Sequence, residues 1–347
     1  VLPVAGGPSR QISTATGHDF PWGWTADSRE VLFQTQLNGS DVILSASVES
    51  GVAREFPLPE GAEQVVLGRD GRHLLYGLPE PDRKPYPLMI YDMKSGATRE
   101  LTGSFPDRAA RQGPRLALEL TGAGGYVLRD GNDFLYFEER GDRLEVRATP
   151  PAGPSRLLRA FPLEGTVSPL AVHGDWIAFV RESQGQFTLF IAPAGEGEPR
   201  TVLSLEGGRQ MGTPFWSHDG RWIAMWHGEP EGTQMRLMFV PISATGELAG
   251  EPVVRDAGAR WWWYPRWLPG DRGVVLVGLT ADMRGDVWLV PLDPSEDAVP
   301  LTRDDPGYIS WYELSPDGKY IAYASEIPRG SSIWRVDLDD ILQRAGK

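Results

Sequence analysis

The chain has 347 residues, among them 41 Gly, 30 Pro and 13 Trp, and a formal net charge of -13. Gly and Pro at this density interrupt long helices, while the tryptophans supply apolar surface that a disordered or collagen-like chain lacks. An acidic surface repels phosphate backbones, so nucleic acid is not an expected partner, and no apolar run approaches the roughly 18 residues that cross a bilayer, so membrane insertion is not expected either.

In chain order, Val1-Leu2-Pro3-Val4 has the text of a third strand and Ser9–Thr14 that of an outer fourth strand, with no earlier strands to complete a sheet. The opening Val1, without a basic or apolar leader, reads as the start of a processed form or of an excised domain. From residue 18 onward a period of roughly 45 residues takes over. Each repeat runs strand, tight turn, bulky strand, second apolar strand, Gly- or Pro-rich turn, and a last strand with a polar edge. The tight turns fall at Asp27-Ser28, Asp70-Gly71, Asp130-Gly131, His173-Gly174-Asp175, Asp219-Gly220, Gly270-Asp271 and Asp317-Gly318. Asp accepts hydrogen bonds from the turn backbone and Gly adopts φ > 0 without steric cost, which suits a hairpin. Bulky strands follow, as in Val31-Leu32-Phe33, Trp176-Ile177-Ala178-Phe179 and Val274-Val275-Leu276-Val277. Between Thr102 and Tyr126 lie roughly twenty residues more than the period requires. They read as an elaborated connection into the third repeat or as its first strand in another register.

Four short strands per repeat predict an all-β, seven-bladed β-propeller of four-stranded antiparallel blades. The expected blades span about 18–59, 61–103, 121–161, 165–206, 209–256, 259–303 and 306–338, the last completed by residues 9–14. The whole of 1–347 is then one propeller, its ring closed by the N-terminal strand, and closure of that kind removes a free edge. Whether Val1–Val4 belongs to an upstream blade of a longer parent is left open.

Trp216-Ser217-His218-Asp219-Gly220-Arg221 and Ser315-Pro316-Asp317-Gly318-Lys319 resemble the repeat cores of the WD40-like family known as PD40 or TolB-like repeats. The resemblance covers essentially the whole chain and implies the propeller fold. It does not select a function, because such propellers serve in TolB, beside peptidase and kinase domains, and in oligogalacturonate lyases. It also implies an extracytoplasmic setting, periplasmic or at the cell surface.

The chemistry in the sequence is sparse. With no cysteine there is no disulfide, thiol nucleophile or Cys-ligated zinc. There is no Gly-x-Ser-x-Gly elbow and no phosphate-binding Gly-rich loop. The five histidines, His18, His73, His173, His218 and His227, fall in separate repeats. They read as turn or surface imidazoles, with a metal centre on His18 and His227 as the alternative. Asp304-Asp305 and Asp337-Asp339-Asp340 read as solvated charge, since neither sits in a calcium-binding loop pattern. No cofactor is expected.

Aromatic residues carry the functional expectation. Trp24, Trp216 and Trp267 stand just ahead of the tight turns and read as core. Phe20, Trp22, Trp261-Trp262-Trp263-Tyr264, Trp311 and Tyr312 gather in or before first strands, with Arg266 and Glu313 beside them. Consecutive aromatics cannot all face one side of a period-2 strand, so part of the 261–264 run is expected to face solvent or the channel. The candidate ligand-binding residues are therefore Trp22, Trp261, Trp262, Trp263, Tyr264, Arg266, Trp311, Tyr312 and Glu313, with no catalytic residue assigned. An aromatic rim of this kind takes a peptide, a protein or a small molecule by stacking and desolvation. The expected function is a non-catalytic binding or sensory module within a larger bacterial protein. The alternative is the gating propeller of a peptidase or a metal-assisted polysaccharide lyase.

Overall fold

A computed structural model describes residues 10–12, 19–37, 40–58, 62–67, 72–78, 87–104, 128–129, 133–140, 142–149, 154, 156–162, 166–168, 170–205, 210–228, 235–257, 261–280, 284–303, 305–327 and 330–337. The readings of Val1–Val4, of the inserted stretch before Tyr126 and of the turns at Asp70-Gly71 and Asp130-Gly131 lie outside these residues. Every regular element among them is a strand, and all pairings are antiparallel. The chain divides into two compact units, Val1–Pro59 with Arg255–Lys347, and Glu60–Val254.

Among the described residues the strands form seven separate sheets, numbered here in chain order. The first unit holds sheet 1 (Phe20–Trp24, Glu30–Leu37, Ser40–Ser47, Ala53–Glu55) and sheet 6 (Trp261–Trp267, Gly273–Leu279, Gly285–Pro291, Val299–Pro300). It also holds sheet 7 (Tyr308–Leu314, Tyr320–Ile327, Gly330–Asp337), whose fourth place is taken by Arg10–Gln11 from the N-terminus, with Arg10 opposite Arg335 and Gln11 opposite Trp334. The second unit holds sheet 2 (Glu63–Leu67 to Ala97–Ser104) and sheet 3 (Leu128–Arg129 to Arg156–Pro162). Sheets 4 (Thr166–Val167 to Arg200–Leu205) and 5 (Gln210–Met211 to Val253–Asp256) complete the set.

Five of the sheets have the expected four strands; sheets 4 and 5 have five, because the first strand of each is split in two. Thr166–Val167 and Ala171–His173 both pair with Trp176–Ser183, and Gln210–Met211 and Phe215–Trp216 both pair with Trp222–Gly228. The sequence of each gap contains a proline, Pro169 or Pro214, which has no N–H to carry the ladder across.

The sheets pack face to face within each unit, and strand alternation decides which slab each residue enters. On Trp176–Ser183, Ile177 and Phe179 pack with Val146, Ala148 and Phe161 of sheet 3. The intervening Ala178 and Val180 pack with Ile223, Met225 and Met238 of sheet 5. A strand covered on both faces has no polar side to show, which explains the continuous apolar text. Gly273–Leu279 is likewise buried at every position.

The tight turns of sheets 1, 5 and 7 share one hydrogen-bond pattern. In sheet 7 the Ser315 hydroxyl donates to Asp317 Oδ1 at 2.7 Å, Lys319 N–H donates to the same oxygen at 3.1 Å, and Tyr320 N–H donates back to Ser315 Oγ at 2.9 Å. Ser217, Asp219, Arg221 and Trp222 repeat the arrangement in sheet 5, and Thr25, Asp27, Arg29 and Glu30 in sheet 1. The motif is thus a closed local circuit with the last turn residue at positive φ: 69° at Gly220 and Gly318, and 59° at Ser28. Arginines of outer strands add a second recurring tie. Arg159 donates to the carbonyls of Pro193 at 3.1 Å, Gly195 at 2.8 Å and Gly197; Arg200 donates to Thr245 O at 3.2 Å. Arg10 likewise donates to Ser50 O at 2.7 Å and to Glu49 O. In each case the guanidinium fills the turn between the third and fourth strands of the adjoining sheet, whose carbonyls would otherwise face water.

Candidate functional site

The candidate site lies in the first unit, on the first strands of sheets 1, 6 and 7. Each of these strands carries one residue more than its partner. In Phe20–Trp24 the register shifts between Pro21 and Gly23, so that Trp22 is the extra residue; in Tyr308–Leu314 it shifts between Ile309 and Trp311, at Ser310. In Trp261–Trp267 it shifts between Trp263 and Arg266, across Tyr264-Pro265. A β-bulge resets the period-2 alternation and re-aims the side chains beyond it, and a proline such as Pro265 is tolerated within a sheet at such a break.

Beyond the bulge of sheet 7, Trp311, Tyr312 and Glu313 take separate roles. Tyr312 enters the slab with Val275, Val277 and Leu289 of sheet 6, and its hydroxyl donates to Val275 O at 2.7 Å. Burial pushes the phenol up, so it stays protonated and serves as a donor. The Trp311 indole N–H donates to Glu313 Oε1 at 3.2 Å, and the ring meets Phe20 at 4.6 Å between centroids. Phe20 in turn meets Trp22 edge-on at 5.9 Å. Arg266 Nη2 stands 3.6 Å from Glu313 Oε1, with both side chains 13% exposed. Burial pushes the Glu313 carboxyl above its usual range, against the opposing pull of the Arg266 guanidinium and the Trp311 N–H.

The expected rim is thus brought together only in part. Trp22, Trp311, Arg266 and Glu313 join one cluster, with Phe20, read from the sequence only as one aromatic among several, bridging Trp22 to Trp311. Trp311 and Tyr312 are both 1% exposed and Trp22 is 8% exposed. These rings are enclosed rather than open to solvent. Trp261, Trp262, Trp263 and Tyr264 sit on the strand backbone with Trp261 opposite Leu279, Trp262 opposite Gly278 and Trp263 opposite Val277; their side chains lie outside the described residues. Trp24, Trp216 and Trp267 are buried, as their place ahead of the turn predicts. The indoles of Trp24 and Trp216 each donate to a first-strand carbonyl of the adjoining sheet, Glu313 O at 3.0 Å and Ala171 O at 3.3 Å.

Of the histidines, His73 and His227 are buried, and His173 packs against Trp216 with ring centroids 5.8 Å apart. His18 lies outside the described residues. Among the described residues no group of three His, Asp or Glu side chains is arranged to hold a metal ion, and no helix is long and apolar enough to cross a membrane.

No protein-family model matches the sequence, and no curated protein matches it. The similarity is to solved structures. An oligogalacturonate lyase from Vibrio parahaemolyticus superposes with a TM-score of 0.64 at 11% identity, covering 94% of this chain and 92% of that one. The β-propeller domain of the trilobed protease from Pyrococcus furiosus, which has an open velcro topology, gives 0.63 at 10% identity over 92% and 95%. A puromycin-hydrolyzing peptidase of Mycobacterium tuberculosis gives 0.60 at 16% identity, covering 97% of this chain but 55% of the peptidase. At such identities the likeness is one of fold, and it is the same fold throughout: an all-β propeller of antiparallel four-stranded blades.

Proposed function

We propose that this chain is a non-catalytic binding or sensory module, a seven-bladed propeller that engages a peptide, protein or small ligand at the mouth of its channel. The ring is closed through Arg10–Gln11, and the module belongs to a larger bacterial protein outside the cytoplasm. The observation that carries the binding role is the joining of Phe20, Trp22 and Trp311 to the enclosed Arg266–Glu313 pair on first strands, the place nearest a propeller's axis. Packing alone does not call for a charged pair there: two buried charges incur a desolvation cost that a hydrophobic pair of the same volume avoids. A ligand that used both charges would account for keeping them.

The test is calorimetric titration of the protein with short peptides and monosaccharides, repeated on Trp262→Ala with Trp263→Ala. Binding that is lost in the double variant while the melting transition stays within a few degrees supports the module. A collapse of the fold would make those rings structural. A second reading, the gating propeller of a peptidase or a metal-assisted lyase, draws on the likeness to the lyase over nearly all of both chains. Elemental analysis of the purified protein separates it: a stoichiometric transition metal favours the lyase. A parent chain that continues into a Gly-x-Ser-x-Gly hydrolase domain favours the gate.

A further inference from the structure

Among the described pairs of opposite charge in the first unit, Arg266–Glu313 has the most enclosed side chains. At the exposed edge of sheet 1, Arg54 Nη2 donates to Glu30 Oε1 at 3.0 Å and Oε2 at 2.8 Å, holding both carboxylate oxygens. Arg266 approaches one oxygen of Glu313 at 3.6 Å, beyond good hydrogen-bond length. Its other acceptor among the described residues is the carbonyl of its own neighbour Pro265, 3.4 Å from Nη1. A guanidinium carries five donors in a planar fork; beyond these two contacts the described residues give the Arg266 fork no acceptor, and its side chain is 13% exposed. The Trp311 N–H is committed to Glu313 Oε1. In the same cluster the Trp22 ring is 8% exposed and its indole N–H has no acceptor among the described residues.

Unfilled donors beside covered aromatic rings specify the missing partner. It carries acceptor oxygens in one plane, matching the fork, and an apolar body that meets the half-buried ring of Phe20, which Trp22 and Trp311 hold in place. Because Glu313 already balances the single guanidinium, and the chain is acidic overall, a monoanion fits this place better than a dianion. We propose that Arg266 is the binding residue for the carboxylate of a ligand, taken up by its planar fork, with Glu313 as the internal carboxylate that competes for the same cation. This rests on the binding-module reading and names the group that the module recognises. The carboxylate can belong to a peptide C-terminus or to a sugar acid, and the assay separates the two sources.

The experiment is calorimetric titration with N-acetyl-glycyl-phenylalanine and its C-terminal amide, D-glucuronate and D-glucose, and inorganic phosphate. Each is run on the wild type, Arg266→Gln and Glu313→Gln, with a melting curve for every variant. The expected result is that an acid binds at least about tenfold more tightly than its neutral partner. Arg266→Gln erases that difference, whereas Glu313→Gln tightens the acid by freeing the fork. Opposite signs in the two variants are the diagnostic, because a purely structural ion pair would weaken binding and melting in both. Equal binding of acid and neutral forms overturns the carboxylate assignment and leaves the binding module standing, and so does phosphate binding as tightly as the acids. No heat from any probe up to about 10 mM, weaker than the usual range of specific sites, overturns both.

Discussion

Gly270 and Gly318 offer a paired test of how neighbouring turns meet. They sit in the tight turns of sheets 6 and 7 with φ of 79° and 69°. An alanine at either position bears the left-handed backbone penalty of about 1–2 kcal/mol. At Gly270 nothing lies within 4 Å of the position its Cβ would take, so the backbone term is the whole effect. At Gly318 the new Cβ would lie 2.4 Å from Pro269 Cγ and 2.6 Å from its Cδ. A pyrrolidine ring cannot swing aside, so the backbone must shift, adding about 1–3 kcal/mol of overpacking. Gly270→Ala is therefore expected to lose about 1–2 kcal/mol and Gly318→Ala about 2–5 kcal/mol. Urea denaturation reads this from the shift in midpoint at constant slope. Combining Gly318→Ala with Pro269→Ala should return part of the loss, with a coupling of at least about 0.5 kcal/mol in the double-mutant cycle. Equal losses for the two glycines, or strict additivity in the cycle, would refute the claim that these turns are in contact.

Three further outcomes follow from the same geometry. Asp27 is held below its usual range chiefly by the Thr25 hydroxyl; in Asp219 and Asp317 burial pushes upward and is outweighed by backbone and hydroxyl donors. Depressed folded values mean that the stabilisation is present above the unfolded carboxyl range and is lost as pH falls through the folded values. Replacing Asp219 and Asp317 by Asn should thus flatten the fall in urea midpoint below about pH 4. Glu313 has the opposite sign: with its folded value raised above 4.5, the native state keeps a proton that the unfolded chain releases. Its contribution therefore declines as pH rises through that window, and Glu313→Gln should remove the slope, with Arg266, Trp311 and Tyr312 as the groups packed around it. Finally, removing residues 1–14 deletes the strand Arg10–Gln11 and the Arg10 ties to sheet 1. Melting should fall sharply, while Arg10→Ala alone should cost about 1 kcal/mol, the net worth of an exposed tie of this kind. An unchanged transition after the deletion would remove the role of that strand.

What the sequence disclosed depended on how local each feature is. The turns were legible because their circuit closes within six residues: Ser315, Asp317, Lys319 and Tyr320 form one text, and Thr25, Asp27, Arg29 and Glu30 keep it with Ser28 in place of Gly. Bulky strands were legible because residues covered on both faces leave no polar alternation, as in Trp176-Ile177-Ala178-Phe179. The split first strands of sheets 4 and 5 were missed, although Pro169 and Pro214 were a usable signal. Outer-strand arginines were visible in Arg200-Thr201-Val202-Leu203, yet the target of Arg200 is the carbonyl of Thr245, 45 residues away. Nothing local announces such a partner. The enclosure of Trp311 and Tyr312 was hidden for a related reason. A bulge at Ser310 changes which residues share a face, and one extra residue cannot be seen without the partner strand.

The same contrast bears on where function resides. A motif repeated in sheet after sheet meets a requirement that every sheet shares, which is to turn tightly and to fit its neighbour. The Ser/Thr-x-Asp turns of sheets 1, 5 and 7 and the arginine ties are of this kind. An extra residue on the first strand recurs too, in sheet 2 between Glu63 and Val66 and in sheets 1, 6 and 7 at Trp22, Tyr264-Pro265 and Ser310; what sets sheets 6 and 7 apart is the enclosed charged pair that their first strands carry. Packing does not require that pair, since a hydrophobic pair of the same volume avoids its desolvation cost. A departure from local regularity that retains buried charge is stable only if the surroundings hold it in place, and natural proteins accept such departures chiefly at working sites. The Arg266–Glu313 pair is tied to its surroundings by the Trp311 N–H, which donates to Glu313 Oε1, and Trp311 itself packs on Phe20. That support preorganises the guanidinium fork before any ligand arrives, so that a carboxylate meeting it has little ordering left to cost.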